Sequence, residues 1–263
     1  MALEITAWGV ATAVRDGGRR GMAHLGRGRG GAADLAALQL GNRLVGNEPD
    51  TAGLETSGGL TFRVTAPTMM AITGSPVDVQ VEGGVPVGWG APVAVGAGAL
   101  VHFGRLHGGA RTYVAVRGGI GVVDGATVAV GPDPLVPASA VAAVPYPVVL
   151  TVRVWEGPRR DWFTDDAWPT LLGSTFTVLG DSNRVGVRLN GPALRRRRHG
   201  ELPSEGLLEG SVQVPPSGQP IVMLADHPVT GGYPVIGVVD PADVCHVAQW
   251  APGMEVGFCA ARR

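Results

Sequence analysis

The sequence predicts a mainly β protein, two tandem β-barrel-like units with a few short helices, and three observations carry that expectation. Apolar residues make up 45% of the chain but aromatics only 5%, so the packing is aliphatic and rich in β-branched valine. The 42 glycines and 21 prolines fall between short apolar runs instead of forming tracts, which is how turns punctuate strands. Helical spacing is confined to a few stretches. A length of 263 residues suffices for one large core or two modest ones.

Taken in order, residues 1–14 alternate loosely and read as one strand, with Leu3, Ile5, Ala7 and Trp8 bearing on packing. Residues 15–31 form a loop rich in glycine and arginine. Leu35, Leu38, Leu40 and Leu44 then recur near helical spacing, with Asp34 placed to favour the first turn and Gly46–Asn47 to end the helix, giving a helix near 34–45. Short β-like runs follow at 60–64, 69–72, 77–81, 101–103 and 113–116. A stretch rich in proline and alanine, 132–147, marks the boundary, so the domains are expected at 1–146 and 147–263. In the second, strands are expected at 151–155, 175–179, 185–189, 211–214, 221–224, 235–239 and 254–258, with short helical segments at 165–172 and 241–249.

Composition excludes several chemistries. The net charge of −1 provides no field for nucleic acid or an anionic membrane. All 21 basic residues are arginine, so no lysine can grip a nucleotide phosphate, form a Schiff base or carry covalent biotin. An anion must be held by arginine, whose planar fork suits carboxylates, or by backbone amides. Cys245 and Cys259 are the only cysteines. With no secretory signal at the start, reduced thiols and a cytoplasmic protein are expected, and neither cysteine has metal-site spacing.

Residues 181–234 concentrate polar groups where strands end: Asp181, Ser182, Asn183 and Arg184; Ser204 and Glu205; Gln219; then Asp226, His227, Thr230, Gly231, Gly232 and Tyr233. Turn chemistry accounts for the glycines and prolines but not for Arg184, Glu205, Gln219 and His227. Two patterns here and upstream are decoys. Gly26-x-Gly28-x-x-Gly31 satisfies a dinucleotide fingerprint literally but lacks a preceding strand and a surrounding βαβ unit. Gly180–Asp181–Ser182 with Asp243-x-x-His246 imitates an esterase pair, in a context that is β and not α/β. Arg195, Arg196, Arg197 and Arg198 read as a solvated face or a dock for an acidic partner.

The motifs DSNR-x-G-x-RL-x-GP, ELPSEG, QVPP-x-GQPIV-x-LAD and TGGYP, in that order, resemble the family of the 5-oxoprolinase C subunit, also called KipA or allophanate hydrolase subunit 2. That family is related to the carboxyltransferase part of urea carboxylase. In the first half Asp16, Gly18, Arg19, Gly21, His24, Leu25, Gly26, Gly31, Ala32 and Asp34 match the family, as does the run from Arg117 to Ile120. Arg15, Gly17, Arg20, Arg27 and Gly28 depart from it, and the segment after Ile120 is shortened.

The resemblance implies cyclophilin-like β-barrels and a protein that acts with a partner, the family's B subunit (KipI, allophanate hydrolase subunit 1), and with a third component, the A subunit. Such complexes use ATP with Mg to open 5-oxoproline to glutamate; the nucleotide site is not locatable on this chain. Two alternatives stand beside that activity: a non-catalytic regulator that antagonises the KipI homologue, and a carboxyltransferase or urea-type amidohydrolase component. On the matching motifs, Asp226 is the candidate base, with His227 adjacent. Arg184 and Arg188 would hold a substrate carboxylate, four apart and so on one face of a strand. Asp181, Ser204, Glu205 and Thr230 would complete the substrate site. Asn183, Gln213, Gln219 and Tyr233 would orient amide or carbonyl groups, and Gly231–Gly232 would bring amides to an oxyanion.

Overall fold

The structure is a computed structural model and describes residues 1–84, 87–143, 148–198, 200 and 202–262. The boundary expected between 146 and 147 lies outside the described residues, as does Glu201 of the ELPSEG motif. Contacts divide the chain into two compact units, Met1–Gly18 with Asp34–Pro147, and Arg19–Ala33 with Val148–Arg263. The glycine- and arginine-rich segment Arg19–Ala33 therefore packs with residues that follow it by more than a hundred positions.

The first unit runs β1 (Ala2–Ala7), β2 (Ala13–Arg15), α1 (Leu35–Leu44), β3 (Gly53–Thr56), β4 (Thr61–Val64), β5 (Thr68–Gly74), β6 (Val77–Val81), β7 (Pro92–Val95), β8 (Leu100–Leu106), β9 (Thr112–Val116), β10 (Ile120–Asp124) and β11 (Thr127–Val130). These form a six-stranded sheet, β10-β11-β1-β4-β8-β6, and a five-stranded sheet, β2-β3-β9-β5-β7. Among the described residues this unit is two sheets and not a closed barrel. The single strand expected over residues 1–14 is broken at Gly9. There φ is +66° and a Cβ would lie 2.3 Å from the carbonyl oxygen of Gly58, so the chain turns and β2 joins the other sheet. Leu3 and Ile5 are buried as expected, whereas Ala7 is exposed. Asp34 caps α1 by accepting from the Ala37 amide at 2.9 Å, and α1 packs on β5 and β9, where the Thr73 hydroxyl donates to Ala37 O at 2.7 Å.

The second unit runs β12 (Thr151–Glu156), α2 (Ala167–Gly173), β13 (Phe176–Val178), β14 (Gly186–Asn190), β15 (Glu205–Gly206), β16 (Ser211–Gln213), β17 (Ile221–Met223), β18 (Thr230–Gly231), β19 (Val235–Val239), α3 (Val244–Ala248) and β20 (Glu255–Ala260). Seven strands close into a barrel in the order β12-β19-β16-β17-β14-β13-β20. Closure comes from parallel pairing of β12 with β20, Thr151 opposite Gly257. Alternation places Val152, Val154, Val187, Leu189, Val212, Val222, Val256 and Phe258 inside. Phe258 packs edge-on against Phe176 and Trp250, at centroid distances of 6.0 and 6.1 Å. At roughly 1.5–3 kcal/mol for each fully buried side chain of this size, the interior holds the barrel, and its rim is left to polar residues. Among the described residues no helix is long and apolar enough to cross a membrane, and neither Cys245 nor Cys259 forms a disulfide.

Candidate functional site

The turn from Asp181 to Val185 delivers the chain into β14. The Asn183 carboxamide oxygen accepts from the Val185 amide at 2.8 Å and the Gly186 amide at 3.3 Å, so Asn183 builds the turn and is committed to it. β17 runs antiparallel beside β14, and the pairing continues past its end. Leu224 N donates to Val185 O, and Asp226 N donates to Arg184 O, both at 3.0 Å. Arg184 and Asp226 thus face each other across the ladder. Arg184 Nε and Nη2 meet Asp226 Oδ2 and Oδ1 at 2.8 and 3.1 Å, a two-pronged, charge-assisted pair in which Arg184 is nearly buried.

A segment from far upstream covers this pair. Arg184 Nη2 also donates to Gly31 O at 2.5 Å, and Gly30 N donates to Ala225 O at 3.0 Å. Gly28 lies against His227, where an added Cβ would stand 3.0 Å from the His227 carbonyl oxygen. A clasp holds the segment down: Arg29 Nε and Nη2 donate to Glu209 Oε2 and Oε1 at 2.7 and 2.6 Å, and Nη2 donates to Ala32 O at 3.0 Å. Among the described residues Arg29 Nη1 has no hydrogen-bond partner, although it is buried. His227 is 7% exposed, and its Nδ1 must donate to the Pro228 carbonyl at 2.8 Å, which leaves Nε2 as the atom able to accept a proton. Of the three glycines that imitate a dinucleotide fingerprint, Gly28 and Gly31 serve this docking, whereas Gly26 closes the 3-10 turn Ala23–Leu25 that stands where the fingerprint needs a strand.

The other candidates lie apart in their contacts. Arg188 lies on β14, whereas Arg184 lies just before its start. Arg188 pairs with Asp181 at 3.2 Å on the exposed side. Glu205 pairs with Arg159 through Nε at 2.8 Å and through Nη2. Gln213, buried inside the barrel wall, donates to Tyr233 O at 3.0 Å. Gln219 is locked to Gly191, accepting from its amide at 2.8 Å and donating to its carbonyl at 3.0 Å. Gly231 pairs with Glu205 in the β15–β18 ribbon. A Cβ on it would stand 2.7 Å from both the Gln213 amide and Leu207, so close packing explains that glycine. Gly232 and Ser204 flank this ribbon, and Ser204 and Thr230 are exposed.

The esterase-like elements are engaged elsewhere. Ser182 Oγ accepts from the Arg188 amide at 3.0 Å, whereas Asp243 takes the Arg153 fork at 2.9 and 2.6 Å. That contact holds the Asp243 carboxyl below its ordinary value, and burial pulls His246 below its own. Sequence reasoning missed Glu209 and Arg159, and it did not find the partner of Arg29, since nothing local says which distant carboxylate an arginine will find.

Residues 25–130 and 124–260 match the carboxyltransferase domain, subdomain A and B, family. The 5-oxoprolinase C subunit of Escherichia coli (strain K12) is 34% identical over 281 residues, covering 97% of this chain and 90% of that protein. The crystal structure of TTHA0988 superposes with a TM-score of 0.87 at 31% identity over 98% of this chain, which spans 56% of that longer one. The Kluyveromyces lactis urea carboxylase superposes with a TM-score of 0.90 over 99% of this chain and 27% of its own, at 23% identity, a likeness of fold alone.

Proposed function

Because the chain belongs to the carboxyltransferase domain, subdomain A and B, family, we propose that it is the C subunit of an ATP-dependent lactam-opening system acting on 5-oxoproline. One observation carries this reading, the 34% identity to a 5-oxoprolinase C subunit over nearly the full length of both chains. A lactam is a poor electrophile. Transfer of a phosphoryl group from ATP to its oxygen would make the ring carbon open to water. Loss of phosphate and cleavage of the C–N bond, with a proton taken up by nitrogen, then leave glutamate. The reading assigns ATP and Mg to the assembled complex, with homologues of the B and A subunits as partners. Among the described residues of this chain no group of three or more His, Cys, Asp or Glu is gathered as metal ligands.

Within the chain, the Arg184–Asp226 pair under the docked glycine segment is where the reading places proton handling. Arg184 fixes the Asp226 carboxylate in one orientation, and His227 Nε2 is beside it in sequence as an acceptor. A second reading, a non-catalytic protein that binds and restrains the KipI homologue, is favoured by the same contact. Both oxygens of the Asp226 carboxylate are already engaged by Arg184. The test is glutamate formation from 5-oxoproline by the reconstituted proteins, compared with Asp226→Asn in a complex of unchanged stoichiometry. Loss of product with the complex intact supports the catalytic reading. Unchanged product removes Asp226 as base, and a stable complex that forms no glutamate with the unaltered chain favours restraint.

A further inference from the structure

The run of four arginines is not electrostatically uniform. Arg197 Nη2 lies 2.8 Å from Asp165 and Arg198 Nη2 lies 3.1 Å from Asp161, so the last two are paired. Arg195 and Arg196 form no ion pair among the described residues. They line a cavity of about 490 Å³, within the range of small-molecule sites, together with Leu194, Pro216, Ser217 and Gly218. Arg195 is exposed but anchored through its backbone, its carbonyl accepting from Thr164 N at 3.1 Å and Thr164 Oγ1 at 3.2 Å. Arg196 is half-buried. Its Nε donates to Val214 O at 3.1 Å, its Nη2 donates to the same carbonyl, and its guanidinium carbon stands 5.9 Å from the Tyr233 ring centroid.

Burial weakens the hold of Arg196 on its proton, pulling its pKa below the ordinary guanidinium value. An anion entering the cavity would relieve that cost. The wall is shaped for it. Gly218 has φ +79°, and an added Cβ there would stand 3.0 Å from Ala193 Cβ, so the turn after Pro215 sits as close as glycine allows.

We propose that this cavity binds a small carboxylate, its two oxygens held by the guanidinium groups of Arg195 and Arg196 and its apolar part resting on Leu194 and Pro216. Two of the Arg196 nitrogens already serve Val214, which leaves donors enough for a planar two-oxygen anion and few for a phosphate. The same chemistry is closed at the arginines the motif points to, since Arg184 grips Asp226 and Arg188 faces Asp181. The proposal does not depend on lactam opening: a complex that fails to turn over 5-oxoproline leaves it standing.

The test is calorimetric titration of the full chain at low salt with 5-oxoproline, its uncharged carboxamide, glutamate, acetate and inorganic phosphate. A carboxylate should bind, and 5-oxoproline at least tenfold more tightly than its carboxamide. Arg195→Met and Arg196→Met should each weaken binding by roughly tenfold or more, the loss of one charge-assisted contact. Arg197→Met, outside the cavity, should change it less than about threefold on the same scale. Should Arg196→Met fail to fold, Arg195→Met decides. Equal affinity for acid and carboxamide, phosphate tighter than every carboxylate, no carboxylate bound at all, or an Arg195→Met chain indistinguishable from the parent would each overturn the proposal.

Discussion

Glu209→Gln should release the segment Arg19–Ala33 from the rest of the second unit without dismantling the barrel. The clasp consists of two charge-assisted hydrogen bonds, at 2.7 and 2.6 Å, between side chains only 16% and 22% exposed. Glutamine retains one acceptor but removes the charge, and it leaves a guanidinium of which one buried nitrogen has no partner among the described residues. A hydrogen bond to a charged group contributes about 1.5–3 kcal/mol, so a loss of about 2 kcal/mol is expected, or roughly a thirtyfold rise in the undocked population. Two amides report it directly. Gly30 N donates to Ala225 O, and Arg19 N donates to Arg29 O. Both should exchange with solvent deuterium roughly thirtyfold faster in the variant, if exchange follows local opening. Rates within about twofold of the parent would refute the clasp on that same arithmetic. Faster exchange at Arg19 with Gly30 unmoved would also refute it, because the tip would then fray while the docking contact stayed closed.

Three further outcomes follow from the contacts. Asp226→Asn should keep the partner complex while abolishing turnover, and the neutral amide should loosen Arg184 enough to speed exchange at Gly30 as well. Tyr113→Phe should lower the urea-unfolding free energy of the first unit by about 2–4 kcal/mol. The buried phenol donates to Glu55 at 2.7 Å and accepts from Asp34 N at 2.8 Å, and burial already pushes its pKa well above the ordinary value. A cost under about 1 kcal/mol would mean that those groups find other partners. Stability should fall on acidification in two steps. His246 is held below its ordinary value by burial, so protons favour the unfolded chain as pH drops through about 6.5. Asp243 is held low by Arg153, so its contribution is present above about 4 and lost as pH falls through its folded value. Thermal midpoints of Asp243→Asn should lack the lower step, and an unchanged acid profile would count against that pair.

Much of the fold was legible because its signals are local. The strand Val235–Val239 is read directly from a valine-rich run between Pro234 and Asp240, and the helix Leu35–Leu44 from leucine spacing, its Asp34 cap and the glycine that ends it. The hairpin of β10 and β11 was not among the expected strands, although the DG pair Asp124–Gly125 at its turn is a local signal for one. What stayed hidden depends on contacts between residues far apart. Nothing near Gly30 announces that its amide will meet Ala225. Arg184 and Arg188 look equivalent in the motif, and only the start of β14 at Gly186 separates the one that reaches Asp226 from the one that faces Asp181. The four arginines likewise read as one charge run. Asp161 and Asp165, some thirty residues earlier, pair with two of them, and the other two face the cavity.

The most direct measurement is ATP hydrolysis by this chain mixed with a KipI homologue, with and without 5-oxoproline. Lactam opening predicts that 5-oxoproline stimulates hydrolysis in the mixture and in neither protein alone. Hydrolysis that is indifferent to 5-oxoproline while the complex remains intact would contradict it.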